Sequence, residues 1–471
     1  MPLAPWPARV FVIAFAVAIA ACGAFSIEAW PLTGWRLFSK ERPQIATSWM
    51  GTSVDARGEE TPIDFGRFPK ADRYFISVMS TYESLPRGEQ EATCRAWARL
   101  VRRHGGSTQG GLRLYATRRD MRRRSRHARR RAGPTSERNR VAGAAEVQAV
   151  SVRSASAGAT AAAAPARLFA APLAWAFGPG DPRQLAALRI GLCSVLLFRL
   201  ASRSDVYLAL TEQPRELFRP LSFMTLFEQM PSRSVVSACL VVGMVAAALA
   251  AAGLLARVML PIALAAAMLL NGMYTAQGKV MHNDVLLMLC LLTIVFARHS
   301  DVWSLDAWLA RVRARRRGVS RPAAAVGPAY GWPVRAAMLA VALAYLIAGL
   351  HKIVESGGLG WASSENMRWI LYLASDSQGH NPIALWIADH AWIAHLSAYG
   401  LLAVECLFFL VLINPRLRWL FIPAAVALHA GTWLTLRLDY SAQLLSLVIV
   451  FVTWPTVVTW LDRRRRELTR G

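Results

Sequence analysis

Apolar positions along the chain fall into two regimes that change near residue 165. Beyond it they come as long, nearly unbroken runs, at about 184–201, 234–256, 258–276, 283–298, 333–351, 394–413, 417–435 and 441–461. Runs near 20 apolar residues match the hydrocarbon thickness of a bilayer. Backbone groups in lipid must bond within their own segment, so each run is predicted as a helix. Before residue 165 the pattern is mixed. Residues 10–27 (VFVIAFAVAIAACGAFSI) form one more apolar run. It reads as an uncleaved anchor, with a cleaved signal peptide as the alternative; Ile19-Ala20-Ala21-Cys22 also fits a lipoprotein cleavage box. Residues 44–54 carry strand-forming side chains, Asp55-Ala56-Arg57-Gly58 predicts a turn, 88–103 has helical periodicity and 112–116 reads as a strand. Residues 118–165 are rich in Arg, Ala and Ser without a period, which predicts a disordered linker. The expected fold is an all-α polytopic membrane protein of about eight core transmembrane helices plus an N-terminal anchor helix, with a small α+β soluble domain. Its expected divisions are 1–30, 31–117, 118–165 and 166–471.

Charge changes the picture less than its total implies. Lys and Arg number 54 against 29 Asp and Glu, a formal net charge of +25 in 471 residues. That excess alone fits nucleic-acid binding. The arginines, however, cluster at 118–140, 311–321 and 463–466, and the last two clusters flank apolar runs, where basic excess marks the cytoplasmic side. The expected partner is therefore the lipid bilayer of a bacterial inner (plasma) membrane, not nucleic acid. Residues 299–332, 414–417 and 462–471 are expected on the cytoplasmic side, with His282, Lys352 and 353–393 on the opposite face. The six cysteines form no CxxC pair or zinc spacing, so neither a disulfide framework nor a structural metal is expected.

Ionisable groups inside apolar runs carry the candidate chemistry. Lys352 closes the fifth core run in YLIAGLHKIVESGGLGW (345–361). It reads either as a snorkelling anchor or as an amine held in a dry pocket, where a lysine can act as a general base. Gly349, Gly357, Gly358 and Gly360 around it permit close backbone approach. His282 opens the fourth run beside Asn283 and Asp284, and all three suit a helix cap as well as a site. Glu405 and His429 lie well inside runs, where an ionisable group faces a partner or a cavity. Arg189 and Arg199 can reach water near a helix end or pair with Glu405.

The stretch YLIAGLHKI, together with the order of the later runs, resembles the vitamin K-dependent γ-carboxylase-like membrane family, whose bacterial members are called HTTM (horizontally transferred transmembrane) proteins. The likeness covers roughly 165–461. Lys352 falls on the family's catalytic base, and His351 stands where the carboxylase has another lysine. The His-led helix at His282, the helix of Glu405, and the helix carrying His429 then Trp433 are similar in order and spacing. The resemblance implies a membrane enzyme whose lysine acts on a reduced quinone (vitamin K or menaquinol-like), with oxygen and carbon dioxide as co-substrates. It implies Lys352 and His282 as catalytic, and His351, Trp361, Glu405 and His429 as cofactor-binding. The carboxylase's large lumenal C-terminal region, which helps bind propeptide, has no counterpart after residue 461. Quinol chemistry on a small-molecule or peptide substrate at the non-cytoplasmic side is therefore expected ahead of carboxylation of a secreted protein. A non-enzymatic quinone- or lipid-binding or partner protein is the second class, and a transporter the third. A buried Lys352 sharing a cavity with His282 and Glu405 favours the enzyme; a solvent-facing Lys352 favours the binder.

Overall fold

A computed structural model describes residues 4–121 and 164–468, except 37, 65–67, 70–71, 73–81, 83–84, 107, 110, 321 and 378–379. Most of the expected linker lies outside the described residues. Its two ends do not: a strand runs on to Asp120 and a helix begins at Ala164.

Among the described residues, six helices are long and apolar enough to cross a membrane: Trp6–Ala24, Pro182–Ser202, Arg233–Ala252, Ala256–Thr275, Pro328–Glu355 and Pro415–Leu436. The molecule is a helical membrane protein. A seventh span is formed if Ser441–Phe451 and Trp454–Glu467, bent by 76° from one another, cross as a unit. The count falls below the eight core helices read from the sequence, and the shortfall has identifiable causes. The run at 283–298 holds only a ten-residue helix, Val285–Ile294, about 15 Å long and half a hydrocarbon core. Nearly all of its side chains are buried by protein, so its hydropathy reflects a core and not lipid. The run at 394–413 stops as a helix at Leu407 and resumes only as Leu410–Ile413. The run at 441–461 breaks after Phe451, where Gln184 donates to the Val452 carbonyl and accepts from the Trp454 amide, both at 2.9 Å. Apolar side chains continue through both breaks, so hydropathy does not register where the helical bonding stops.

The N-terminal helix belongs to the bundle. It runs beside Pro328–Glu355 so closely that a Cβ added at Gly23 would lie 2.8 Å from the Ile347 side chain. Phe15, Ile19, Trp30 and Trp35 all enter the main core. At one end of the bundle Gly180 bridges Gly327, and Arg189 donates to the carbonyls of Ala250, Ala251, His299 and Trp303. The basic 299–332 connection and the break at Val452 lie at that same end.

The small α+β unit sits at the other end. Strands β1 (Ile45–Val54), β2 (Glu60–Pro62) and β3 (Gly111–Asp120) form an antiparallel sheet in the order β2-β1-β3, with Ile45 opposite Asp120 and Val54 opposite Gly111. Asp55 builds the expected turn by accepting from the amides of Arg57 and Glu59, and Gly58 takes a φ of +82° that suits glycine. The helix Arg87–Arg103 packs Ala96, Trp97, Leu100 and Val101 into a satellite core that also takes Leu217 from the bundle. Ala46 and Met121 pack with Leu371, Tyr372, Ala384 and Ala388, so the unit rests on the end of the bundle that carries Lys352.

Candidate functional site

The Pro328–Glu355 helix, 28 residues long, runs through the middle of the bundle and carries Lys352 in its last turn. Side chains on a helix lean toward its N-terminus, and Lys352 does so, its Nζ lying 3.4 Å from the Ala348 carbonyl. From there it meets Glu405 of the Ala391–Leu407 helix, 2.9 Å from Oε1 and 2.8 Å from Oε2. Both are buried, Lys352 with 2% and Glu405 with 9% of its surface exposed. Gly349 makes the approach possible. A Cβ there would stand 2.6 Å from Cys406 Sγ, 3.0 Å from the Cys406 amide and 3.1 Å from Glu405 Cβ. Any larger residue would push the two helices apart. Trp361 covers the ammonium, its ring centre 5.4 Å from Nζ, and is held by a 2.6 Å bond from its Nε1 to the Phe38 carbonyl.

Two turns back on the same helix, the Tyr345 hydroxyl lies 2.7 Å from His429 Nε2. Tyr345 stacks on Phe408 at 4.7 Å. Both couples face one cavity. Trp35, Phe38, Leu286, Met367, Ile370 and Leu401 give it apolar and aromatic walls, and Thr432, Tyr440 and Gln443 add polar atoms. Leu428 and Leu436 close it from the Pro415–Leu436 span, which is only 11% buried, against 61% for Pro328–Glu355. That side of the cavity is therefore a thin wall toward lipid.

The residues singled out in the sequence divide into two groups. Lys352, Trp361, Glu405 and His429 share the cavity. His282 and His351 do not. The His282 ring is 2.9 Å from Thr33 Oγ1 and 3.9 Å from Glu28, and its backbone carbonyl accepts from Gln443. Burial, with Lys279 nearby, pushes His282 down to about 4. Burial pushes the Glu28 carboxyl up, against the bond it accepts from Thr33. Because Trp35 and Gln443 line the cavity, His282 backs its wall without entering it. His351 turns toward the N-terminal helix, with Nε2 2.9 Å from the Gly23 carbonyl and Nδ1 3.5 Å from Glu355.

Asp284 occupies the cap position before Val285 without capping the helix. It pairs instead with Arg199 and Arg203, each at 2.7 Å. Arg189 and Arg199 thus find partners other than Glu405. Among the cavity residues that escaped the sequence reading are Trp35, Phe38 and Tyr345. Trp35 and Phe38 come from a stretch with no period to announce it. Tyr345 had a usable signal, since a phenol in an apolar run needs a hydrogen-bond partner.

No family model, curated protein or solved structure matches the chain.

Proposed function

We propose that the protein is a membrane enzyme that binds a reduced, menaquinol-like quinone in this cavity and uses Lys352, partnered by Glu405, as its base. The observation that carries the reading is the buried Lys352–Glu405 pair facing an apolar, aromatic cavity. Ligand pockets have this character, with mostly apolar walls and few, convergent polar groups. The fit is supported by a buried imidazole nitrogen, His429 Nδ1, that finds no partner among the described residues. Lys352, Glu405, Trp361, Tyr345 and His429 are the residues that would hold such a ring. A reduced quinone supplies, with oxygen, the strong base needed to remove a carbon-bound proton, and carbon dioxide is the further co-substrate that the family resemblance adds.

The chain's own contribution is proton handling. A proton can cross the 2.9 Å hydrogen bond from Nζ to Glu405 Oε1 without changing the net charge of the pair. With little water to solvate separated charges, the neutral amine–acid form is less disfavoured than it would be at a surface. Glu405 can therefore hold a proton while Lys352 presents a free amine to a ligand hydroxyl. Trp361 excludes water from Nζ, and Gly349 sets the helix spacing. The clusters Arg311–Arg317 and Arg463–Arg466 support orienting their end of the bundle to the cytoplasm of a bacterial inner membrane. The α+β unit and any small-molecule or peptide substrate would then lie on the opposite side.

Lys352→Arg decides the matter. Guanidinium keeps the charge and can pair with Glu405 but cannot serve as a base. In purified protein, quinol-dependent uptake of labelled carbon dioxide should fall at least about 100-fold while the protein stays folded. Full turnover in this variant would end the enzymatic reading. The second reading, a quinone- or lipid-binding protein without catalysis, is favoured by the place of His282 outside the cavity. It predicts ligand binding without turnover in the unaltered protein.

A further inference from the structure

The proposed lysine chemistry uses one end of the cavity and leaves a second polar station unexplained. Tyr345 and His429 are buried, with 7% and 9% of their surface exposed, and both line the cavity. A buried phenol has one proton to donate and must find an acceptor. For Tyr345 the acceptor is His429 Nε2 at 2.7 Å. A neutral imidazole that accepts at Nε2 carries its proton on Nδ1. His429 Nδ1 has no hydrogen-bond partner among the described residues, and an N–H buried without an acceptor is costly.

We infer that His429 Nδ1 is a binding point for an acceptor oxygen of the ligand, with its donor character fixed by Tyr345. Tyr345 is then a positioning residue, acting through the tautomer of its neighbour. The inference rests on the quinone reading above and adds a requirement to it: two oxygens at opposite ends of a flat ring. One meets Lys352 and Glu405, the other His429. Both stations open on the same cavity. A simple acyl chain offers no second oxygen for His429.

The test uses the full-length protein in detergent and two probes: 2-methyl-1,4-naphthoquinone, with oxygens at both ends of a ring, and 2-methyl-1-naphthol, with one. Binding is read by quenching of tryptophan fluorescence. The unaltered protein should bind the two-oxygen probe about tenfold more tightly, the scale of one added hydrogen bond. His429→Phe should bring that ratio to about one while the one-oxygen probe still binds. Tyr345→Phe, which removes only a hydroxyl and keeps the ring stacked on Phe408, frees the tautomer. It should lower the ratio to roughly threefold, midway on a logarithmic scale. Equal affinity of the probes for the unaltered protein, or a ratio unchanged in both variants, overturns the His429 inference and leaves the quinone site standing. Failure of both probes to bind the unaltered protein overturns the two together.

Discussion

Two clusters of buried charge sit toward the same end of the bundle, and they differ in saturation. In one, Arg199 bonds Asp284 at 2.7 Å, Asp439 at 2.6 Å and Ser441 at 3.0 Å, while Arg203 bonds both aspartates again. Burial opposes the ionisation of Asp439, yet its bonds from Arg199 and Ser441 hold it well below the usual carboxylate range. None of these charged groups lines the large cavity. In the other cluster a single lysine meets a single glutamate, with a cavity beside them. A cation–carboxylate pairing serves as a fastener where two arginines share two aspartates, and as a site where a lone pair borders a cavity. Burial of a charge does not separate these roles; what is left over after pairing does.

The sharpest way to break this contrast is Glu405→Ala. It strands an ammonium in the interior, and removal of one partner from a buried pair costs about 3–5 kcal/mol. Thermal unfolding in detergent should show it. The double variant Lys352→Met with Glu405→Leu should recover most of that loss with turnover abolished. A double variant as unstable as the single would place this pair among the fasteners. Asp284→Ala should cost less, about 2–3 kcal/mol, because Arg199 and Arg203 keep Asp439. Its ligand affinity should not move, and a changed affinity would erase the distinction between the clusters. Gly349→Ala should cost about 1–3 kcal/mol by overpacking and reduce ligand binding in parallel, since it wedges open the Lys352–Glu405 contact. Adding Cys406→Ala relieves the 2.6 Å clash with the thiol but not the 3.0 Å approach to the backbone, so recovery should be partial.

The smallest effect concerns the wall behind the cavity. His282 is held near 4 in the folded protein, against about 6.5 for a free histidine. On acidification the unfolded chain takes up this proton first, so stability is lost as pH falls from about 6.5 toward 4, by about 1 kcal/mol at pH 6. Glu28, pushed upward, acts with the opposite sign. Subtracting the pH profile of His282→Gln therefore isolates the histidine. A difference curve that stays flat between pH 7 and 5 would show that the imidazole does not need to be neutral there.

The legible and illegible parts of this protein divide along physical lines. Long apolar runs announce helices because burial in lipid and burial in protein both select apolar side chains. For the same reason they misstate the number of spans, as the buried Val285–Ile294 helix and the bend after Phe451 show. The strand-forming side chains at 44–54 and the turn at Asp55 located the first strand and its end, since both are encoded locally. Lys352 and Glu405 stood out because a charge in an apolar run demands a reason. That they meet depends on Gly349, whose sequence signal is the same as that of any helical glycine. His282 was placed with Lys352 by sharing a face of the membrane, and depth at one face leaves lateral position undetermined. The contribution of Trp35 and Phe38 was hidden by distance along the chain.

That distance has a consequence in time. Arg36 bonds Glu355, and the Phe38 carbonyl holds Trp361, across 319 and 323 residues of sequence. At about 5–20 residues per second of synthesis, the N-terminal segment waits on the order of tens of seconds for the partners that it covers. Its helix must enter the bilayer early and remain unmatched along the Gly23 face until Pro328–Glu355 arrives. The cavity thus closes as one of the last events of assembly, and a chain released before that helix is made would carry a first helix with nothing to lean on.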